Sequence, residues 1–153
     1  MKNKFQIKEA LYEVCDADTE KRINTIEQSL KSIAEARNNE TKSSAGDKYE
    51  TGRAMLQIEE ENSKTQLSQA LRVKNQLSKI NWSKESRIVE LGSLVTTTNG
   101  DYYISIGIGK VTLNNQHYYC VSAVSPIGQK MMNKAVGDEI EFNGTKVIIK
   151  EIH

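Results

Sequence analysis

Cysteine and histidine are scarce in this sequence, and their scarcity limits the kinds of site it can build. There are two cysteines and two histidines in 153 residues. Cys15 and Cys120 lie in different halves of the chain and belong to neither a CxxC motif nor a Cys/His cluster. A zinc site or a disulfide framework is therefore not expected, and this cysteine usage favours a reducing compartment.

Long apolar runs and an excess of charge of one sign are also lacking. No apolar segment approaches the roughly 20 residues needed to span a bilayer. The first residues include two lysines but no hydrophobic core of a secretory signal. With 21 basic and 20 acidic side chains, the net charge is +1 and gives no overall attraction to nucleic acid or membrane. We therefore expect a cytoplasmic protein without a membrane partner, whose charged contacts are local.

Glycine and proline are nearly absent from the first half of the chain. Pro126 is the only proline, and seven of the nine glycines lie at Gly92 or later. The residues before that point are mainly good helix formers. Apolar residues recur at spacings of three, four and three, as in the seam of a coiled coil: Ile23, Ile26, Leu30 and Ile33. This half therefore predicts long helices, with a restart capped by Asp18 or Thr19.

A polar stretch from Asn38 to Gly46 predicts a loop between two helices, the second of which continues to about Ile80. Helices joined by a short loop pair antiparallel. We predict a coiled-coil hairpin over residues 1–80, with a tip loop at about residues 38–50. The alternative is that the same seam mediates dimerisation.

The second half of the chain has the composition of β-structure. After a linker at residues 81–85, β-branched and aromatic residues are concentrated at 102–106 and 118–121. Asn99-Gly100 and Asn143-Gly144 are typical of hairpin turns. Ser125 followed by Pro126 predicts the N-cap and first residue of a short helix. The expected fold class is α+β, with a compact β-rich domain at residues 86–153.

Two groups of residues in the hairpin are candidates for function. Asp47 and Glu50 are three residues apart at the start of the second helix, so both carboxylates could approach one cation. The same spacing also fits a capping box, with Asp47 as N-cap and Glu50 at N3. Lys64, Arg72 and Lys79 lie close to one helical face. They form either a solvated surface or a contact face for RNA phosphates or an acidic protein wall.

Three segments together resemble the Gre family of bacterial transcript cleavage factors. Ile-Ala-Glu-Ala-Arg at residues 33–37 resembles the end of the family's first coiled-coil helix. Gly46-Asp47-x-x-Glu50 matches its acidic tip motif. The C-terminal signature is matched by Ser125, Pro126, Ile127 and Gly128, followed by Asn133-Lys134 and Gly137-Asp138. The resemblance covers most of the chain from about residue 20 onward.

This resemblance implies a helical hairpin followed by an FKBP-like domain. In the family, the small domain docks on RNA polymerase at the rim of its secondary channel, here through residues 125–128. The hairpin enters the channel, and Asp47 and Glu50 would help to hold a Mg²⁺ ion in the polymerase active site, near the 3′ end of the nascent RNA. The protein would have no cofactor of its own. It would stimulate cleavage by the polymerase without being an enzyme itself.

Two departures from the family pattern motivate alternative hypotheses. Residues 38–45 make the segment before the tip motif longer than in the family, and Thr51-Gly52-Arg53-Ala54 replaces the usual Asn-Ala-Glu-Tyr. The main alternative is a Gre-fold regulator or inhibitor that occupies the polymerase channel without stimulating cleavage. An FKBP-like prolyl isomerase or chaperone is a third hypothesis, and no residue marks a pocket for it.

Overall fold

The α+β prediction is confirmed: a pair of helices is followed by a six-stranded mixed sheet and one short helix. The structure is a computed structural model that describes residues 3–42 and 46–153, except for the side chains of residues 40–49. Its elements are α1 (Lys4–Lys42), α2 (Gly46–Ser78), β1 (Leu94–Thr97), β2 (Gly100–Ser105), β3 (Gly109–Leu113), β4 (Gln116–Ser122), α3 (Pro126–Met131), β5 (Glu139–Phe142) and β6 (Thr145–Ile152).

The first helix is longer than predicted. It runs without a break through Lys42, and α2 begins at Gly46, so the predicted loop over residues 38–50 is wrong except for residues 43–45, which lie outside the described residues. The predicted restart at Asp18 or Thr19 is also wrong, because Thr19 is buried inside α1. No glycine or proline occurs between residues 4 and 42. Asparagine and threonine cost only a fraction of a kcal/mol each in a helix and do not end it.

The chain divides into two compact units, and the division cuts across both long helices. One unit is Thr19–Lys74, and the other combines Met1–Asp18 with Asn75–His153. The second unit therefore contains the sheet together with the beginning of α1 and the end of α2, whereas the predicted boundary was at residues 81–85.

The unit Thr19–Lys74 is an antiparallel helical pair held by a small apolar cluster and ion pairs. Glu20 pairs with Lys74 at 2.6 Å and Arg37 with Glu60 at 2.6 Å. Since partner numbers fall along α2 as they rise along α1, the helices run in opposite directions. The predicted seam contacts the second helix of the same chain, in a cluster made of Ile23, Ile26, Leu30, Leu67 and Ala70.

The other unit is built on a sheet with strand order β3-β4-β2-β1-β6-β5. The pairing of β2 with β4 is parallel, and the other neighbouring strands pair antiparallel. Asn99-Gly100 and Asn143-Gly144 join consecutive strands, as predicted. A third tight turn, at Asn114-Asn115, was not predicted. Both of its residues have positive φ values, 50° and 65°, which asparagine tolerates better than most residues.

Each face of the sheet is covered by a different helix. Alternation along β2 sends Tyr102 and Ile104 to the face covered by α3, where they join a buried core with Val89, Val95, Ile127, Met131, Ile140, Val147 and Ile149. Tyr103 and Ser105 point to the opposite face. There the Cys15 Sγ atom of α1 lies 3.4 Å from the Ser105 Oγ atom. The beginning of α1 therefore packs directly on the sheet.

Candidate functional site

The acidic pair of the tip motif lies in the first turns of α2. The helix begins at Gly46, so Asp47 is its second residue and Glu50 follows three positions later, with an exposed side chain. Residues three apart on a helix are surface neighbours. The side chain of Asp47 lies outside the described residues, so its metal-binding and capping roles both stay predictions.

An ion-pair bridge fixes the register of the helical pair on the tip side of its apolar cluster. Glu60 on α2 contacts Arg37 of α1 at 2.6 Å and Lys64 of its own helix at 2.9 Å. The hydrogen bond from Lys64, together with the positive charge of Arg37, lowers the pKa of Glu60. Glu60 is the middle residue of the run Glu59-Glu60-Glu61, and its ion pair with Arg37 connects the two helices.

The three basic residues predicted to share one helical face are all exposed. Lys64 forms an ion pair with Glu60, which partly neutralises the positive charge that Lys64 presents to a partner. Lys64 and Arg72 lie on α2, but Lys79 follows the last helical residue, Ser78. The predicted face is therefore helical only as far as Arg72.

The Ser-Pro segment caps α3, as the sequence predicted. Ser125 Oγ accepts a hydrogen bond from the Gly128 N–H at 3.1 Å and donates one to the Ser122 carbonyl at 2.6 Å. Pro126 is the first residue of the helix and is exposed. Ile127 and Gly128 are buried, and a Cβ atom added at Gly128 would lie 2.0 Å from the Ser122 carbonyl oxygen. Two of the four predicted docking residues therefore pack the turn rather than face solvent.

A cleft of about 630 Å³ opens beside the sheet and was not predicted. It is lined by Glu85, Ser86, Arg87, Ala135, Val136 and Ile152. Val136 is 58% exposed, and the neighbouring Ile88 is 43% exposed. The lining of the cleft therefore combines exposed apolar side chains with one acidic and one basic residue.

A buried lysine near the start of α1 was also not predicted. Lys8 is 1% exposed, and its Nζ donates to the carbonyl of Lys84 at 2.9 Å. Burial lowers the pKa of Lys8, although Glu85 and Glu90 oppose this change. The contact fastens the predicted linker to α1. Nothing in the sequence around Lys8 distinguishes it from an exposed helical lysine, so its burial could not be predicted.

Comparison with protein families and with curated proteins identifies no relative. No protein-family model matches the chain, and no curated protein matches it significantly. Within the part of the chain that the structure describes, no three histidine, cysteine, aspartate or glutamate side chains lie together as metal ligands. No described helix is long and apolar enough to cross a membrane.

Proposed function

We propose that this protein is a cytoplasmic transcription elongation factor of the Gre type, which binds RNA polymerase through its secondary channel and stimulates cleavage of backtracked RNA. The observation that carries the proposal is the position of Asp47 and Glu50, in the first turns of the second helix of an antiparallel pair. The Ser-Pro turn that resembles the family's C-terminal signature follows in the sheet unit.

The dimensions of the helices support this proposal. At 1.5 Å per residue, the 24 residues of α1 and the 29 of α2 that belong to the unit Thr19–Lys74 span about 36 and 44 Å. A paired helical rod of this kind can carry residues at its end into a narrow channel. The Arg37–Glu60 ion pair would hold the register of the two helices and so the position of the carboxylates. Positioning matters because a displacement of about 1 Å in a catalytic group can cost 100-fold in rate.

The chemistry of the acidic pair fits a shared Mg²⁺ ion. Carboxylate oxygens are the ligands that this hard cation prefers. Asp47 and Glu50 would supply two ligands, and the polymerase would supply the rest. When bound in the complex, the ion would favour ionisation of the attacking water and stabilise the leaving oxygen. The factor would then have no catalytic activity without the polymerase.

Contacts outside the tip would come from the sheet unit and from α2. In the Ser-Pro turn, Pro126 is exposed and would contact the polymerase, while Ile127 and Gly128 are buried and pack the turn. The exposed Arg72 and Lys79, with Lys64 in its ion pair, would face RNA phosphates or an acidic wall of the polymerase. Such exposed charges are screened by salt, so this part of the binding would weaken as ionic strength rises.

One observation favours the alternative of a regulator without cleavage activity. Gly52 lies within α2, two residues after Glu50. Glycine inside a helix costs roughly 1 kcal/mol relative to alanine, which loosens the turn that carries the carboxylates. A protein with a loosened tip would still occupy the polymerase channel but would place the metal ligands poorly.

A stalled elongation complex with a backtracked, 5′-labelled RNA distinguishes the two functions. A cleavage factor would shorten the labelled RNA in a Mg²⁺-dependent reaction, faster than the polymerase alone. A regulator would leave the RNA intact but compete with a genuine cleavage factor for the polymerase. If the protein neither stimulates cleavage nor competes, both functions are wrong.

A further inference from the structure

The two edge strands of the sheet differ in how well they are protected from pairing with another chain. β5 is short, exposes Glu139 and Glu141, and accepts a hydrogen bond from Lys130 Nζ at the Glu141 carbonyl. Short length, charges and occupied backbone groups all protect an edge. At the opposite edge, β3 pairs with β4 on one side and has no neighbour on the other among the strands that the structure describes. The outer side of β3 is therefore the open edge of the sheet.

The register of the β3–β4 hairpin shows which backbone groups face this open edge. A two-residue turn at Asn114-Asn115 joins the strands, so Leu113 and Gln116 close the hairpin as a hydrogen-bonded pair. Hydrogen-bonded and non-hydrogen-bonded pairs alternate along an antiparallel ladder. The N–H and C=O groups of Lys110 and Thr112 therefore point away from β4. These four backbone groups are placed to pair with a further strand.

A cavity of about 530 Å³ lies beside the end of β3, where the start of α1 meets the hairpin. Its apolar lining comes from Ile7, Leu113 and Tyr118. Val111 is opposite Tyr118 in the hairpin, so its side chain lies on the same face of the sheet as Tyr118 and Leu113. Both β3 residues are only partly buried. A strand added to β3 would place every second side chain on this face, next to partly exposed apolar surface.

On its other face, β3 carries one positive charge, which selects between possible partners. Lys110 is exposed and lies opposite Tyr119 of β4. No ion pair involves Lys110 among the residues that the structure describes. If two copies of β3 paired about Val111, their Lys110 side chains would be diagonal neighbours about 7–8 Å apart and would repel each other. An acidic residue opposite Lys110 would be attracted instead, so charge favours a different chain over a second copy.

We propose that β3 is a docking site for an extended segment of another protein, which joins the six-stranded sheet as an added strand antiparallel to β3. Antiparallel pairing is slightly more stable per residue than parallel pairing. The segment carries an acidic residue opposite Lys110 and apolar residues opposite Val111 and Leu113. Main-chain hydrogen bonds supply the affinity of such strand addition, and alternate side chains supply its specificity. The site uses neither the tip carboxylates nor the Ser-Pro turn, so it stands apart from the proposed function.

The test uses the full chain and a fluorescein-labelled peptide with blocked ends, whose sequence is serine, leucine, threonine, valine, glutamate, serine. Its leucine would pair with Leu113 and its glutamate with Lys110. We expect saturable binding by fluorescence anisotropy. Methylating the threonine amide, whose N–H faces β3, should weaken binding at least about tenfold. Methylating the valine amide, whose N–H faces away, is the matched control and should preserve binding. Equal effects of the two methylations, or no binding up to about 1 mM peptide, would overturn the proposal.

Charge reversal tests the chemistry of the partner. Lys110→Glu should weaken binding of the glutamate peptide about fivefold and should prefer a peptide with lysine in place of glutamate. Lys150→Glu reverses an exposed charge on β6, near the opposite edge, and should bind like the wild type. Circular dichroism checks that both variants are folded. An unchanged preference in Lys110→Glu would refute the acidic partner. Dimerisation in sedimentation that Thr112→Pro abolishes would overturn the proposal in favour of a second copy.

Discussion

Gly128 illustrates how a single residue in the Ser-Pro turn serves the fold. It lies in the first turn of α3, directly against the Ser122 carbonyl oxygen. We expect Gly128→Ala to destabilise the protein by at least about 2 kcal/mol, because the added methyl group meets backbone atoms that cannot move aside easily. Urea denaturation measures the change. Gly107→Ala is the matched control, since a Cβ atom there meets nothing within 4 Å. Equal stability of the two variants would refute this role for Gly128.

Glu60 gives a prediction that depends on pH. Its pKa is lowered in the folded protein by the hydrogen bond from Lys64 and the charge of Arg37. A lowered pKa adds stability above the unfolded-state pKa of about 4.3, and this stability is lost as the pH falls through the folded-state value. Glu60→Gln should therefore lower the melting temperature at pH 7, and the difference from wild type should shrink towards pH 3. A difference that stays constant over this range would show that the charge is not responsible.

At the scale of elements, the helical pair depends on a small cluster between α1 and α2. Ile26 is 7% exposed within this cluster, whereas Ile58 on α2 is 59% exposed. We expect Ile26→Ala to destabilise the pair by about 2–4 kcal/mol, because it leaves a cavity between the helices. Ile58→Ala should change stability by less than about 0.5 kcal/mol. Hydrogen exchange of the amides in Thr19–Lys74 measures both effects. Comparable effects at the two positions would contradict the packing described.

Most elements followed from local sequence signals, and the errors have identifiable causes. The turns at Asn99-Gly100 and Asn143-Gly144 and the cap at Ser125 were predictable because their residue types satisfy one backbone geometry. The loop predicted from residue 38 failed because polar residues alone do not end a helix. The Asn114-Asn115 turn was missed because it contains no glycine, although asparagine tolerates its positive φ values.

The candidate site was only partly accessible from sequence. The placement of Asp47 and Glu50 near the start of a helix could be predicted, because it requires only a short motif and the spacing of three residues. The Arg37–Glu60 bridge and the contact between Cys15 and Ser105 join residues far apart in the chain, through the pairing of α1 with α2 and the packing of α1 on the sheet. Neither contact could be predicted, because no short sequence motif indicates it. The same reasoning explains why Lys8 was not recognised as a buried residue.

At the scale of the whole molecule, the division into units predicts how a fragment behaves. The compact unit that contains the sheet consists of Met1–Asp18 and Asn75–His153. A fragment of residues 86–153 lacks four side chains that are almost fully buried, Lys8, Leu11, Cys15 and Leu77. We expect this fragment to unfold at a lower temperature than the full chain and to bind an apolar dye, because one sheet face loses its cover. A fragment as stable as the full chain, with no dye binding, would restore the predicted boundary at residues 81–85.

The central claim is that the tip carboxylates act in RNA cleavage, and its most direct test is cleavage by a stalled polymerase complex saturated with variant proteins. Asp47→Asn and Glu50→Gln should each abolish stimulated cleavage while binding is retained, because they remove charge but keep oxygen atoms that can cap a helix. Glu61→Gln, which removes a carboxylate elsewhere on α2, should stimulate cleavage as strongly as the wild type. Stimulation by Asp47→Asn at the wild-type level would contradict the claim.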